Sequence, residues 1–250
     1  MKYVTFTTNG SVELCKNFIL SAGKVGIQKD LIVYCLDKES KEQLSNEFEC
    51  DVRLYELEEI KDIHHEYGKD QFRRITEAKI EIIIQALNEF DKLVYSDCDV
   101  VFRNDPTPVI EYNDKNGIDI VFASDEPFMK RCTGFMLIKN TENVRRLFAK
   151  YYVLSNQYEA VGSKSMYDQE IINYILDSEW TNDLKDFSYR VYPTTFIKNG
   201  HLYWNEPEGR TNEECVIHVN FCIGKETKIN RNTLHKAISN VKNYLINEKN

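Results

Sequence analysis

Two carboxylates, Asp97 and Asp99, flank Cys98 at the end of the apolar run Leu93-Val94-Tyr95-Ser96. Side chains two apart on an extended backbone point the same way. This spacing therefore lets both carboxylates address one cation while Cys98 turns elsewhere. A hard divalent cation held by one or two carboxylates keeps coordination positions free for phosphate oxygens. The same residues also read as an acidic turn after a buried strand, so the pair needs partners. His218, in the strand-like run Cys215-Val216-Ile217-His218-Val219-Asn220, offers an imidazole as a third ligand of the kind that suits manganese. A lone histidine there reads more readily as a satisfied core residue. Gly224-Lys225-Glu226-Thr227-Lys228 follows closely. Its glycine lets backbone approach an anion, and Lys225 and Lys228 bring point charges to a phosphate.

The elements that must position these groups alternate between β-rich runs and amphipathic stretches, as in βα units on a mostly parallel sheet. Strands are predicted at Lys2 to Thr7, Leu31 to Leu36, more weakly at Val52 to Leu54, then at Leu93 to Ser96, Ile118 to Ala123 and Gly134 to Ile138. The continuous apolar run at 31–36 predicts a strand covered on both faces. Helices are predicted over Ser11 to Ala22, where Val12, Cys15, Ile19 and Ala22 recur at helical spacing, over Phe72 to Leu87, and over Thr141 to Leu154 with Thr141 as cap. Beyond Ser155 the pattern loosens into aromatic-rich loops until a closing helix over Asn230 to Ile246. No internal repeat or Pro/Gly-rich linker interrupts the chain, which reads as one domain over residues 1–250.

A formal charge of -8 and a pI near 5.3 argue against a nucleic-acid partner, because phosphate backbones demand a basic face. The longest clean apolar stretch, Ile82-Ile83-Ile84, falls far short of the roughly 20 residues a bilayer crossing needs. The amino terminus is too short and polar for a signal peptide. Seven scattered cysteines without a C-x-x-C pair suggest neither a disulfide framework nor a zinc site. They read as reduced, mostly buried thiols and point to a cytoplasmic location.

Taken in order, Asp97-Cys98-Asp99, Cys132-Thr133-Gly134-Phe135-Met136-Leu137-Ile138, Asp168-Gln169 and His218-Val219-Asn220-Phe221 with Gly224-Lys225 resemble the nucleotide-diphospho-sugar transferases. These are GT-A-fold enzymes related to the glycogenin-like glycosyltransferases. Phe6-Thr7-Thr8, Asn17-Phe18, the helix bearing Lys79, and Asn199-Gly200 before Tyr203 are similar too, so the resemblance spans Tyr3 to Lys228. It implies an α/β fold with a Rossmann-like, mixed but mostly parallel sheet flanked by helices and a loop-rich C-terminal third. Residues 1–140 would bind the nucleotide sugar and 141–250 would form the acceptor side. It also implies roles. Thr7, Thr8 and Asn9 match the loop that cradles the nucleotide, and Asp97, Asp99 and His218 match ligands of Mn2+ or Mg2+. Lys79 and Asp125 match contacts to donor phosphate or sugar hydroxyls, Asp168 and Gln169 a pair lining the donor sugar, and Lys225 a basic position near the diphosphate. The chain departs from glycogenin-like enzymes in its longer His-to-Gly spacing and in lacking a following Pro-Trp, which leaves the phosphate lysine open between Lys225 and Lys228.

The implied reaction moves a glycosyl unit, with retention, from a nucleotide sugar to an acceptor hydroxyl on a glycan or protein. A UDP-sugar is favoured, with galactose or xylose ahead of others. No convincing side-chain nucleophile emerges from the sequence, so front-side attack is expected; Asp168 and Gln169, the catalytic candidates, are expected mainly to position donor and acceptor, with a nucleophilic role as the minority reading. Trp180, Tyr192, Tyr203 and Trp204 could stack on a sugar ring or serve as ordinary core aromatics. Two rivals stand beside this reading. A haloacid-dehalogenase-type phosphatase also carries D-x-D after an apolar strand, though that fold opens with the motif and here three strand-like runs precede it. The other is a non-catalytic sugar-nucleotide or glycan-binding protein on the same fold.

Overall fold

In the computed structural model, which describes residues 1–57, 72–160, 166–178, 182, 184, 186–205 and 214–220, the apolar runs become strands. The order is β1 (Lys2–Thr7), α1 (Val12–Lys24), β2 (Leu31–Cys35), α2 (Lys38–Glu47), β3 (Asp51–Leu54), α3 (Phe72–Glu89), β4 (Lys92–Ser96) and β5 (Val100–Phe102). There follow α4 (Thr107–Lys115), β6 (Ile120–Asp125), β7 (Met129–Lys139), α5 (Glu142–Ala160), α6 (Asp168–Asp177), β8 (Tyr189–Val191), β9 (Ile197–Asn199), α7 (Gly200–Asn205) and β10 (Val216–His218). Seven strands form a mixed sheet in the order β3-β2-β1-β4-β7-β6-β8, and β5-β10-β9 form a second, three-stranded sheet. In the large sheet β2 and β3, β1 and β4, and β6 and β8 pair in parallel, whereas β7 runs antiparallel to both β4 and β6.

The chain divides into two compact units. One comprises Met1–Val4, His65–Ser96 and Val109–Tyr192. Its core joins Leu93 to Tyr95 of β4, Ile120 to Phe122 of β6 and Phe135 to Ile138 of β7 with Ile80, Ile82 and Ile83 of α3, all buried. The Thr141 hydroxyl accepts the Val144 amide at 3.3 Å and starts α5, the capping role expected of it. The other unit comprises Thr5–His64, Asp97–Pro108 and Pro193–Asn250. There α1 buries Val12, Cys15, Ile19 and Ala22, the spacing that predicted it, together with Phe18, whose ring lies 5.4 Å from the Phe102 ring of β5. It stops where Gly26 takes φ +81, a conformation that glycine adopts without a Cβ clash. All five residues of β2 are buried, as a strand covered on both faces requires.

Several elements differ from the sequence reading. Helix α2 (KESKEQLSNE) buries only Ser40 and Leu44, so it has no apolar stripe to read, and its signal is the Asp37 cap, whose carboxylate accepts the Ser40 amide at 2.7 Å. Helix α4 buries only Ile110 and Asn113 and is hidden for the same reason. Strand β7 starts five residues before Gly134, because Met129 and Cys132 continue the pairing to Asp125 and Ala123 past a bulge. The region after Ser155, read as loops, contains the end of α5 and the helix α6. The closing helix over 230–246 lies outside the described residues.

Cys15, Cys35, Cys50, Cys98, Cys132 and Cys215 are free thiols. Burial pushes the Cys35 thiol up to about 12 and that of Cys50 to about 11, far from reactive thiolates at neutral pH. Among the described residues no helix is long and apolar enough to cross a membrane.

Candidate functional site

Asp97 and Asp99 lie in the link between β4 and β5. That link is a turn rather than extended backbone, with the Val100 amide donating to the Asp97 carbonyl at 3.3 Å. The simple alternation argument does not apply here, yet the carboxylates still converge. The turn sends β5 back beside β10, and β10 delivers His218 opposite Val100. His218 Nε2 stands 3.1 Å from Asp99 Oδ1 and 3.8 Å from Asp97 Oδ2. The three side chains offer ligand atoms that all lie within 4.8 Å of one another. Neighbouring ligands around an ion bound at about 2.1 Å sit roughly 3 Å apart, so one small divalent cation fits among them. The donors also suit manganese, two hard carboxylate oxygens with one imidazole nitrogen. Asp99 and His218 are buried and Asp97 is half-buried, which leaves one side of the cluster open to a ligand.

The surroundings hold the cluster firmly. The Val219 amide donates to the Asp99 carbonyl at 2.9 Å, tying the turn to the end of β10. Cys98, between the two carboxylates, packs on the apolar cluster of Leu14, Val101, Tyr203, Ile217 and Val219. Gly200, at the start of α7, donates its amide to Asn220 Oδ1 at 2.8 Å. A Cβ at position 200 would lie 2.2 Å from the Asn220 carbonyl oxygen and 3.2 Å from the Trp204 ring. Gly200→Ala should therefore force the segment after His218 away. Its expected cost is about 1–3 kcal/mol in urea denaturation, an overpacking penalty against backbone that has no rotamer to yield. A cost below about 0.5 kcal/mol would show that the contact relaxes freely.

The same unit carries Thr7, Thr8 and Asn9 at the end of β1. The Ser11 hydroxyl lies 3.0 Å from the Thr7 hydroxyl and accepts the Thr8 amide at 3.1 Å, while Asp37 Oδ2 accepts the Asn9 amide at 2.7 Å. Gln43 donates to Asn9 Oδ1 at 3.0 Å. The loop is thus a shaped polar turn at the carboxyl end of a sheet strand, where open α/β sheets bind ligands. Asp37 belongs to it and was not foreseen. Its only sequence signal was the helix cap.

The other unit gathers a second polar cluster from α3, β6, β7 and α6. Lys79, nearly buried, donates to Asp168 Oδ2 at 2.8 Å, and its ammonium lies 5.2 Å from the Tyr95 ring centroid. The Thr133 hydroxyl donates to the same oxygen at 2.6 Å. Gln169 follows Asp168 in the first turn of α6; its Oε1 accepts the Thr133 amide at 3.3 Å and its Nε2 donates to Asp125 Oδ2 at 2.9 Å. Lys79, Asp125, Asp168 and Gln169, separate in sequence, are one hydrogen-bonded chain in the fold. Thr133, which the sequence reading named only within the family-like 132–138 segment, is its central link.

Two groups of expected residues stand differently. Lys225, Lys228 and Trp180 lie outside the described residues. Tyr192 and Tyr203 are buried to within a few per cent, so they are core aromatics and present no face to a sugar. Trp204 packs against the Tyr203 cluster with ring centroids 4.8 Å apart.

The family model of nucleotide-diphospho-sugar transferases matches residues 26–231. No curated protein matches the chain in sequence. Among solved structures, the glycosyltransferase GlyE of Streptococcus pneumoniae TIGR4 superposes with a TM-score of 0.60 at 17% identity, over 92% of this chain and 56% of that one. The galactosyltransferase LgtC in complex with donor and acceptor sugar analogs gives 0.59 at 14% identity, covering 94% of this chain and 91% of LgtC. Mouse xyloside xylosyltransferase 1 gives 0.56 at 13% identity, covering 88% and 97%. The chain spans just over half the length of GlyE. At these identities the superpositions establish a shared fold.

Proposed function

Because this chain belongs to the nucleotide-diphospho-sugar transferase family and has the GT-A fold, we propose that it is a metal-dependent, retaining glycosyltransferase. It moves a sugar from a nucleotide sugar to an acceptor hydroxyl on a glycan or glycoprotein. The donor is a UDP-sugar, with galactose or xylose favoured. The observation that carries the reading is the convergence of Asp97, Asp99 and His218, three ligands of two types from two distant segments, after the strand β4. The phosphatase alternative gains nothing from the family match, and the non-catalytic alternative has no observation in its favour.

Departure of a nucleoside diphosphate places growing negative charge on its leaving oxygen. Mn2+ or Mg2+, held by Asp97, Asp99 and His218, would act there as a Lewis acid. The protein's own groups have separate tasks. The turn at Thr7 to Asn9 is assigned to the nucleotide through its side chains, because the Thr8 and Asn9 backbone amides are given to Ser11 and Asp37. Lys79 and Thr133 orient Asp168, whose Oδ2 receives both. Gln169, held through its Oε1 by β7 and through its Nε2 by Asp125, is assigned to the donor sugar. Its task is positioning, a geometric effect that can contribute several kcal/mol to a bimolecular transfer. Neither residue is assigned as a nucleophile. Asp168 has its carboxylate engaged on one oxygen by a cation and a hydroxyl, which weakens it for attack on carbon. Lys225 and Lys228 are retained as the two choices for the diphosphate lysine.

A thermal-shift screen of nucleotide sugars with and without manganese tests the reading. A ligand bound only by the native state at about 100 times its Kd stabilises by about 2.7 kcal/mol, a rise of roughly 5–10 °C for a chain of this size. A UDP-sugar should give that rise with Mn2+ present and little without it. If no nucleotide sugar shifts the melting point under either condition, the donor assignment is wrong.

A further inference from the structure

The residue that brings the third metal ligand to the other two is four positions away from it and does not touch the cluster. Glu214 is fully buried at the entrance to β10. Its two carboxylate oxygens face opposite neighbours. Oε2 accepts Arg103 Nη1 at 3.1 Å, just past the end of β5, and Oε1 accepts the Lys198 ammonium at 3.0 Å, in the middle of β9. Asn104 adds a third tie by donating to the Glu214 carbonyl at 3.0 Å. One side chain just before the central strand therefore reaches β9 and the residue that follows β5. Lys198 is itself only 6% exposed, so the pairing takes place away from water.

Such a clamp matters because the sheet it closes is small. Strands β5, β9 and β10 contain three residues each, and their register runs Val216 to Phe102, Ile217 to Val101 and His218 to Val100 on one side, and Val216 to Ile197 through His218 to Asn199 on the other. Three-residue ladders have few hydrogen bonds to resist sliding. Side chains alternate with a period of two, so a slip of one residue exchanges the two faces of a strand. Such a slip would put the Ile217 side chain where the His218 imidazole meets Asp99. The apolar residues Val216, Ile217 and Val219 are similar enough in shape to fill one another's places, so packing alone defines this register weakly. A buried carboxylate caught between two cations does not accept a shifted register, because the slip would strand the Glu214 and Lys198 charges away from water. Specifying register is the best-attested use of a buried ionic group, whose net contribution to stability is often small.

We propose that Glu214, acting through Arg103 and Lys198, is a positioning residue for the metal centre: it locks the register of β10 and so carries His218 to Asp97 and Asp99. The inference rests on the metal-dependent reading above, and it concerns cation affinity before any donor binds. The distance supports an indirect role. Four residues of extended chain span about 13 Å, too far for Glu214 to serve as a ligand.

Mn2+ binding to the full chain, read as loss of the free-ion signal in electron paramagnetic resonance, provides the test, with urea denaturation of each variant alongside. Glu214→Gln keeps the shape and removes the charge. Replacing all three partners with apolar residues, Arg103→Met with Lys198→Met and Glu214→Leu, removes every buried charge at once and should leave a folded protein. The expectation is a fall in Mn2+ affinity of at least tenfold in both, with the triple variant retaining most of the wild-type urea midpoint. Affinity separated from stability is the mark of positioning. Wild-type affinity in a folded triple variant, or in folded Glu214→Gln, overturns the proposal while leaving the metal site intact. If the wild-type chain itself binds no Mn2+, the metal-dependent reading fails first and the inference fails with it. Should both variants fail to fold, Arg103→Met alone, at a side chain 23% exposed, should still lower affinity about threefold. Unchanged affinity there also overturns the proposal.

Discussion

Asp99→Ala should reduce glycosyl transfer by about 10³-fold or more and abolish the manganese dependence of donor binding. The carboxylate lies closest to His218 and is the more buried of the two acids in the cluster. Electrophilic stabilisation of a leaving diphosphate is worth several kcal/mol, and each 1.36 kcal/mol of barrier is tenfold in rate. The substitution leaves the main chain as it was. The Asp99 carbonyl still accepts the Val219 amide, so the β5–β10 junction keeps its tie and the variant should melt close to the wild type. Loss of turnover with a preserved fold is the signature of a ligand. A variant that turned over at the parental rate with manganese present would remove Asp99 from the site and return the pair to an acidic turn.

Lys79→Met should be the most destabilising single change in the unit that contains α6. Lys79 and Asp168 form an ion pair at 2.8 Å with both side chains about 7% exposed. Taking away one partner of a buried pair leaves the other charge uncompensated, at a cost of about 3–5 kcal/mol. For a chain of this length that lowers the melting point by roughly 6–20 °C. The Thr133 hydroxyl would remain on Asp168 and soften the loss without supplying charge. Adding Asp168→Asn to the variant should recover much of the stability, because no buried charge is then left alone. A melting point within about 2 °C of wild type for Lys79→Met would mean that water reaches Asp168 and that the pair is a surface one in energetic terms.

The strands were legible from sequence where they were continuous and apolar, as at 31–36 and 93–96, because only buried strands read that way. Helices α1 and α3 were legible for their stripes. Helices α2 and α4 were not, because each buries only two residues, and a helix that touches the core so lightly leaves no period to detect. The candidate metal ligands could be named, but the reason for their convergence could not. The sequence suggested an extended D-x-D, whereas the acids occupy a turn, and they meet His218 because β10 pairs with β5 over a separation of more than one hundred residues. Register across such a distance has no local signal. The same holds for Thr133, Asp37 and Glu214, each of which connects segments far apart in the chain. Their residue types are ordinary, and only the fold makes them specific.

Strand β7 and helix α6 share a length standard. Arg131 and Thr133, two steps apart on β7, engage Asn173 and the Asp168-Gln169 pair on α6, four to five steps apart. Two strand steps cover about 6.8 Å and four to five helical steps about 6–7.5 Å, so the two periods coincide over this interval. Asn173 closes the frame by donating back to the Arg131 carbonyl at 2.8 Å. Such a vernier accepts changes of residue at either mark but not a change in the number of residues between the marks. Across descendants of this chain the segments 131–133 and 168–173 should vary in letter while remaining fixed in length, and any insertion or deletion there would have to occur in both at once.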